Sequence, residues 1–340
     1  MHNDGKEKLH SVATANDVAR LAGVSRSAVS RTFTPGSSVS AATRSKVLAA
    51  AEALNYHVNL LARGLSKPAS RPVCILGGNL ASPWQASLLD HLTRRLNRAQ
   101  RAVMVINSDE GEAAARQALL QTLHYRSTAT LVLSGQPPAP LIESCLQSGQ
   151  QVILINRMGQ FSGADNIEID YRTTLHEAFR QLQMAGCQRI GLVSASNHSP
   201  SIKIREAGFL AAAQDAGVPV KVINSKPASY ASGIAAARQL LSQPQRPDGV
   251  FCVTDLLACG FVDSARHEFA LRIPDQLSVI GFDDIDQAGW LAYQLTTFAQ
   301  PLAAMADATC QLLSDSQPSP PRHQRFTATL VKRQTLRQPS

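Results

Sequence analysis

Five side chains in one short stretch near the N-terminus have the chemistry to bind a polyanion. Ser25, Arg26 and Ser27 follow a Gly-Val pair, and Ser30 and Arg31 come about one helical turn later. A guanidinium group donates hydrogen bonds to phosphate oxygens or, as a fork, to the acceptors of guanine. We therefore expect Arg26 and its neighbours to reach base edges. We expect Ser30 and Arg31 to contact phosphates or to pack within their own domain.

No other motif has the spacing of a catalytic or metal site. The chain lacks the Gly-x-Ser-x-Gly, His-Glu-x-x-His, Walker and Gly-x-Gly-x-x-Gly patterns, and Gly77-Gly78 is only a weak phosphate-loop signal. Its nine histidines are isolated, and its six cysteines form no Cys-x-x-Cys pair. We therefore expect no metal, no cofactor and no enzymatic activity, with the thiols buried and reduced.

Three short helices are predicted to position the arginine-containing segment. Thr14 and Asp17 form a capping-box pattern, Gly23 allows a tight turn, and Ser25 and Ser40 cap the second and third helices. Apolar residues recur at helical spacing within each helix, namely Val18, Leu21 and Ala22, then Val29 and Phe33, then Val47, Ala50 or Ala51, and Leu54. This pattern predicts a helix-turn-helix unit, whose second helix enters the major groove of DNA.

The positive charge of the chain is concentrated in the same region. Residues 1–71 hold ten basic and four acidic side chains, a net charge of +6, whereas the whole chain of 340 residues carries +8. This distribution indicates a polyanion partner for the N-terminal segment and not for the nearly neutral remainder. The alternative is a small basic helical bundle that does not bind DNA.

After Pro72 the chain alternates between short apolar β-type runs and helical patterns. The predicted strands are 73–77, 102–106, 130–133, 152–155, 189–193, 220–223, 249–253, 278–282 and 326–331. The predicted helices between them include 88–99, 113–123, 174–185 and 234–241. Repeated βαβ units predict parallel sheets, and about 230 such residues exceed one typical domain. We therefore expect two similar α/β lobes after the all-α domain.

The apolar pattern predicts neither a membrane segment nor an export signal. Its apolar stretches are far shorter than the roughly 18–20 residues of a membrane helix, and residues 1–10 lack the apolar segment of a secretory signal. We expect a cytoplasmic protein, associated with the nucleoid, that has no membrane partner.

The order of these motifs resembles the lactose/galactose repressor (LacI/GalR) family of transcriptional regulators. The run from Asp17 to Arg31, with Val39-Ser40, Thr43-Arg44 and Leu54-Asn-Tyr56, is similar to the DNA-binding domain of that family. The core matches it in order through Val253-Thr-Asp255, Arg272-Ile-Pro-Asp275, Leu277-Ser-Val-Ile-Gly-Phe-Asp-Asp284, Leu295-Thr-Thr297 and Gln300-Pro301. The similarity spans residues 12–335.

The resemblance implies a homodimer in which each subunit has a DNA-binding head, a hinge helix and a two-lobed core like that of periplasmic sugar-binding proteins. The implied boundaries are 1–58 for the head, 59–71 for the hinge, and 72–340 for the core, with a first lobe of about 72–171 plus 300–318 and a second of about 172–299 plus 319–340. The final residues show no apolar heptads, which favours a dimer over a tetramer.

The resemblance also adds DNA contacts at Thr14, Asn59, Arg63 and Leu65. Leu65 would unstack a base step at the centre of a pseudo-palindromic operator, or it would pack at the dimer interface. Gly64 departs from the family pattern. Because glycine in a helix interior costs about 1 kcal/mol relative to alanine, we expect a hinge that is less ordered without DNA.

The effector-binding residues are likewise implied by the resemblance. Trp84 matches an aromatic residue that stacks on the ligand, Arg205 a cleft arginine, and Asp283 an acceptor for ligand hydroxyls. Thr254 and Asp255 would flank Asp283. For each residue the alternative is lobe packing or helix capping, and for Asp255 the two interpretations are evenly balanced. The implied effector is a sugar, a polyol or a sugar acid.

Together these features predict a sequence-specific transcriptional repressor whose operator affinity is controlled by that effector. The alternatives are a cytoplasmic α/β sugar-acting enzyme with an accessory DNA-binding domain, and a non-specific architectural DNA-binding protein. The identity of the effector, the operator sequence and the direction of the response are left open.

Overall fold

The chain separates into two units, each with its own apolar core. The computed structural model describes residues 12–34, 36–58, 71–108, 112–133, 138–156, 161–195, 200–314 and 320–338. The two units are Met1–Arg71 and Pro72–Ser340. Within the described ranges, no helix is both long and apolar enough to cross a bilayer.

The first unit contains the three predicted helices, which are α1 (Ala15–Ala22), α2 (Arg26–Thr32) and α3 (Ala41–Ala53). The predicted capping box is present. The Thr14 hydroxyl accepts a hydrogen bond from the Asp17 backbone N–H (3.4 Å), and the Asp17 carboxylate accepts one from the Thr14 backbone N–H (3.0 Å). Gly23 ends α1 with a φ of 65°, which is a left-handed conformation that favours glycine.

The core of the first unit confirms most of the predicted apolar stripe. Val18, Val29 and Val47 are fully buried where the three helices meet. Leu21 was predicted to lie on the same face of α1, but its side chain is 57% exposed. At 100° per residue, Leu21 lies about 110° away from the centre of the face that carries Val18 and Ala19, so α2 and α3 do not cover it.

The first lobe of the second unit is a six-stranded sheet with helices on both faces. Its strands are β1 (Val73–Gly77), β2 (Val103–Asn107), β3 (Ala129–Val132), β4 (Gln151–Ile155), β5 (Asp165–Ile169) and β11 (His323–Phe326). Its helices are α4 (Pro83–Arg98), α5 (Glu112–His124), α6 (Ala139–Gln147) and α11 (Leu302–Ser314). The strand order is β11–β5–β4–β3–β1–β2, and all neighbours are parallel. Helices α4 and α11 pack on one face, and α5 and α6 on the other.

The second lobe repeats this plan with a four-stranded parallel sheet. Its strands are β6 (Ile190–Ser194), β7 (Val220–Asn224), β8 (Gly249–Cys252) and β9 (Ser278–Ile280), in the order β7–β6–β8–β9. Its helices are α7 (Tyr171–Met184), α8 (Pro200–Asp215), α9 (Tyr230–Leu241) and α10 (Asp255–His267). Gly233 and Gly260 allow α9 and α10 to touch, because a Cβ at either position would overlap a backbone carbonyl of the facing helix.

Three crossing segments join the two lobes. The remaining strands, β10 (Thr297–Ala299) and β12 (Thr329–Val331), pair antiparallel, and bridges from Ile280 to Thr296 and from Asp283 to Ala299 tie β10 to the second lobe. The chain therefore crosses between β5 and α7, between β10 and α11, and between β11 and β12.

The third crossing corrects the predicted lobe boundary. The sequence predicted residues 319–340 in the second lobe and one strand over 326–331. Instead, β11 pairs with β5 in the first lobe, where the Asp170 N–H donates to the Phe326 carbonyl (2.7 Å), and the chain crosses at Thr327 and Ala328. The reason is that β11 satisfies the backbone groups along the edge of β5. The six cysteines are unpaired, and five of them are buried.

Candidate functional site

The exposed face of α2 carries the side chains that were predicted to read DNA. Arg26, Ser27, Ser30 and Arg31 are exposed, whereas Val29 is buried against the other two helices. Within the part of the chain that the structure describes, neither guanidinium group makes a hydrogen bond or an ion pair. Their guanidinium donors are therefore free to bind an external anion, and burial of Val29 fixes which face of α2 is presented.

Thr14 and Ser25 already serve as helix caps. The Thr14 hydroxyl donates to the Asp17 carboxylate (2.7 Å), which together with the backbone N–H of Thr14 lowers the pKa of Asp17. The Ser25 hydroxyl accepts from the Ala28 backbone N–H (3.2 Å) and lies 2.8 Å from the Ser27 hydroxyl. Both residues are placed at helix starts, where N–H groups point outwards. A direct contact between either residue and DNA stays a prediction.

The predicted hinge contacts at Asn59, Arg63 and Leu65 lie outside the described residues.

The structure brings Arg205 and Asp283 together in the core. Arg205, on α8, is only 3% exposed, and its Nη2 lies 2.9 Å from Asp283 Oδ1. Its Nη1 donates to the Val253 carbonyl (2.7 Å) at the end of β8. The guanidinium also lies over the Phe282 ring, 4.1 Å from the ring centre. Arg205 Nε is buried and has no hydrogen-bond partner among the described residues, so the surrounding chain leaves one donor of the guanidinium unsatisfied.

Asp283 is held in an unusual backbone conformation at the end of this segment. Its φ is 126°, and its backbone N–H donates to the Phe298 carbonyl (3.0 Å) of β10. Burial raises the pKa of Asp283, and the Arg205 guanidinium opposes that increase. Oδ1 accepts from both Arg205 and Gln300, and within the described ranges Oδ2 makes no hydrogen bond. The side chain therefore retains an acceptor for a ligand hydroxyl.

Two residues that sequence reasoning did not assign to the site connect it to the first lobe. Gln300, between β10 and α11, donates from Nε2 to Asp283 Oδ1 (2.8 Å). Its Oε1 accepts from Asn156 Nδ2 (3.1 Å), and Asn156 Oδ1 accepts from the Ile169 N–H (3.1 Å) at the end of β5. A continuous set of buried hydrogen bonds thus runs from Arg205 in the second lobe to Asn156 in the first. In the sequence, the Gln-Pro motif could have pointed to Gln300, and the position directly after a strand could have pointed to Asn156.

Asp255 does not lie open to the cleft. It is fully buried, and its two oxygens accept hydrogen bonds from the Thr297 hydroxyl (2.6 Å) and the Ile285 N–H (3.0 Å). Burial raises the pKa of Asp255 to about 7, and the nearby Asp283 carboxylate adds to the increase. Both oxygens of Asp255 therefore already have protein partners, and the predicted contact between Asp255 and an effector stays a prediction. Asp255 positions the segment that carries Asp283.

Thr254 and Trp84 have different surroundings. The Thr254 hydroxyl caps α10 by accepting from the Leu257 N–H (3.5 Å). Trp84, in the first turn of α4, packs partly buried against the core of the first lobe, and its indole N–H has no hydrogen-bond partner among the described residues. Trp84 thus has a free buried donor, whereas the Thr254 hydroxyl already serves as a cap.

A helix-turn-helix unit followed by a two-lobed α/β core with a polar cluster between its lobes defines a ligand-responsive DNA-binding regulator. Residues 14–59 match the bacterial regulatory proteins of the lacI family, and residues 179–336 match the periplasmic binding protein-like domain. The HTH-type transcriptional regulator GalR of Escherichia coli (strain K12) is 30% identical over 337 residues, 97% of each chain. The chain therefore belongs to the lacI family of bacterial regulatory proteins and is a DNA-binding transcriptional regulator.

Further relatives and solved structures agree with this assignment. The ribose operon repressor of Bacillus subtilis (strain 168) is 30% identical over 302 residues, which cover 89% of this chain and 91% of the relative. Among solved structures, the Lac repressor dimer bound to operator and the anti-inducer ONPF superposes with a TM-score of 0.83 at 24% identity, covering 96% of this chain and 99% of that one. That structural likeness supports the same fold.

Proposed function

We propose that this chain is a homodimeric repressor, located in the cytoplasm, that binds a pseudo-palindromic operator and is controlled by a sugar-like effector between its core lobes. The observation that carries the proposal is the buried Arg205–Asp283 pair, which retains an unpaired guanidinium N–H and an open carboxylate oxygen. Adjacent donors and acceptors of this kind match the vicinal hydroxyls of a sugar or polyol. The hydrogen bonds through Gln300 and Asn156 support a link from this pair to the opposite lobe.

The DNA contact is proposed for the exposed face of α2. Arg26 lies at the start of the helix, where the residues of a recognition helix reach base edges, and Arg31 lies one turn later, where a phosphate contact is favoured. Thr14, Ser25, Ser27 and Ser30 are proposed as polar contacts on either side. Asn59, Arg63 and Leu65 are proposed to contact DNA from the hinge.

The dimer is proposed from an exposed apolar patch on the second lobe. Trp290 is 53% exposed and Leu291 is 94% exposed. The neighbouring Tyr230 and Tyr293 both donate to Asp263 Oδ2, at 2.6 and 2.8 Å, which fixes α9 beside this segment. Exposed aromatic and aliphatic side chains that adjoin one another are typical of protein interfaces. The similar Lac repressor is a dimer on its operator.

The experiment that tests the proposed function starts with a thermal-shift screen of the purified chain against sugars, polyols and sugar acids. A compound that binds the native state raises the melting temperature, and it should then change operator affinity measured by fluorescence anisotropy. The variant Arg205→Gln should abolish the response to that compound, whereas Arg246→Gln, at an exposed arginine in the same lobe, should not. Retention of the response in Arg205→Gln would remove Arg205 from the effector site, and turnover of the compound would favour an enzyme.

A further inference from the structure

The second lobe carries a surface groove at the place where the three crossing segments meet. The groove has a volume of about 760 Å³, within the range of small-molecule sites. It is lined by Arg172 just after the first crossing, Phe298 just before the second, and Thr327 and Ala328 in the third. The end of α8, at Ala216, closes one side. Neither Arg205 nor Asp283 lines it, so the groove is separate from the proposed effector cleft.

The floor of the groove is apolar, and its rim has one unpaired cation. Glu177 is neutralised by Arg180, whose Nε donates to Oε2 at 2.7 Å. Asp215 Oδ2 lies 3.8 Å from His176 Nε2, a contact that is an ion pair only when the imidazole is protonated. Arg172 is exposed, and within the described ranges its guanidinium makes neither a hydrogen bond nor an ion pair. An apolar surface beside a guanidinium without a partner is complementary to an apolar molecule that bears one anionic group.

We propose that this groove is a second ligand site, for a small amphipathic carboxylate, and that its occupant biases the movement of the lobes. All three crossing segments contribute to the groove, so a ligand there contacts the parts of the chain that must bend when the lobes move. This proposal goes beyond the proposed function, which concerns the cleft alone.

Aromatic contacts link the groove to the effector cleft. Phe298 contributes to the groove, and its ring stacks on Phe282 with 6.0 Å between ring centres and 22° between ring planes. The Phe282 ring also contacts the Arg205 guanidinium, which lies 4.1 Å from the ring centre. A displacement of Phe298 is therefore passed to the side chain that holds Asp283. Because coupling between two sites is reciprocal, each ligand should change the affinity for the other by the same factor.

The test uses 1-naphthoate and its neutral isostere 1-naphthamide, titrated into the full-length dimer by isothermal calorimetry. We expect saturable binding of one molecule per subunit. An exposed ion pair contributes little, so naphthoate should bind about two- to five-fold more tightly than naphthamide. Arg172→Gln should remove that preference, and Arg246→Gln should preserve it. Ala216→Trp, at an exposed position at the edge of the groove, should prevent binding of both compounds.

Several outcomes would overturn the proposal. Equal affinities for the two compounds, or an unchanged preference in Arg172→Gln, would show that Arg172 does not bind the anion. Unchanged binding in Ala216→Trp would place the compounds elsewhere. Saturating naphthoate should also shift operator affinity, and an unchanged operator affinity would contradict the coupling to the lobes. A protein that binds naphthoate but no operator would instead contradict the proposed function and leave the groove as a ligand site.

Discussion

The exposed face of α2 and the polar cluster between the core lobes both contain arginine, but in opposite surroundings. Arg26 stands exposed in water without a partner among the described residues, whereas Arg205 is buried and paired with Asp283 and the Val253 carbonyl. An exposed guanidinium costs little to keep and interacts fully only when a polyanion arrives. A buried guanidinium must be compensated by the fold before any ligand binds.

This difference teaches which substitutions are tolerated. The head can lose a charge and stay folded, because nothing in its apolar core depends on Arg26 or Arg31. The core cannot lose the Arg205 charge without losing stability, because Asp283 would then be buried beside another buried carboxylate, Asp255. In the head, DNA binding and stability can therefore be changed separately. In the core, a change at Arg205 affects ligand binding and stability together.

The largest expected effect comes from breaking the buried pair. Arg205→Gln should lower the free energy of unfolding of the core by about 3–5 kcal/mol, because Asp283 loses its cation. Urea denaturation followed by circular dichroism measures this change. Asp283→Asn in the Arg205→Gln background should recover part of the loss, and Arg246→Gln should stay within about 0.5 kcal/mol of the parent. If the double variant lost as much stability as Arg205→Gln and Asp283→Asn lose separately when added together, the two side chains would not be coupled.

The next effect is the pH dependence of Asp255. Its pKa is about 7 in the folded protein against 3.8 for an ordinary aspartate, so the folded state binds the proton more tightly than the unfolded state. The associated stability is present below pH 3.8 and is lost as the pH rises towards 7. The steepest loss is about 1.4 kcal/mol per pH unit.

Denaturation of Asp255→Asn between pH 4 and 7 checks this dependence and should give a flatter profile than the parent chain. Glu268 supplies the control, because hydrogen bonding from Arg238 lowers its pKa from 4.5 to about 2. Glu268→Gln should therefore change the profile only below pH 4.5. Parallel profiles for Asp255→Asn and the parent would contradict a raised pKa at Asp255.

A smaller effect is expected for the exposed arginine Arg26 on α2. Arg26→Ala should reduce discrimination at one base pair in each half-site by about 1–3 kcal/mol and leave thermal stability unchanged. Anisotropy titrations against single-base operator variants measure this effect. Uniform weakening against all sequences would assign Arg26 to a phosphate.

The smallest effect is the contribution of one phosphate contact. Arg31→Ala should weaken binding to all DNA sequences equally and reduce the slope of log affinity against log salt by about 1. Arg26→Ala is the matched control, since both side chains project from the same helix and each variant removes one positive charge. A loss of sequence preference in Arg31→Ala would reverse the assigned roles.

Local structure was largely predictable because it depends on neighbouring residues. The caps at Thr14, Ser25 and Ser40 and the strand Val73–Gly77 follow from hydrogen-bonding side chains and an apolar run. The strand Asp165–Ile169 was missed because three of its five residues are polar, although it is covered on one side by β11 and on the other by β4. Burial from neighbouring strands outweighed composition.

The sequence by itself determined that a basic helix-turn-helix head precedes a two-lobed α/β core, and its resemblance to the lacI family predicted that Arg205 and Asp283 share one site. Only the tertiary structure decided which residues surround Arg205 and Asp283 and how the chain connects the two lobes. In the folded chain Asp255 is buried, Gln300 and Asn156 extend the hydrogen bonds from Asp283 to the first lobe, and the third crossing follows β11. The physical reason is that capping and periodicity act over a few residues, whereas the partner of a buried polar group is chosen by which distant segments the sheets bring together.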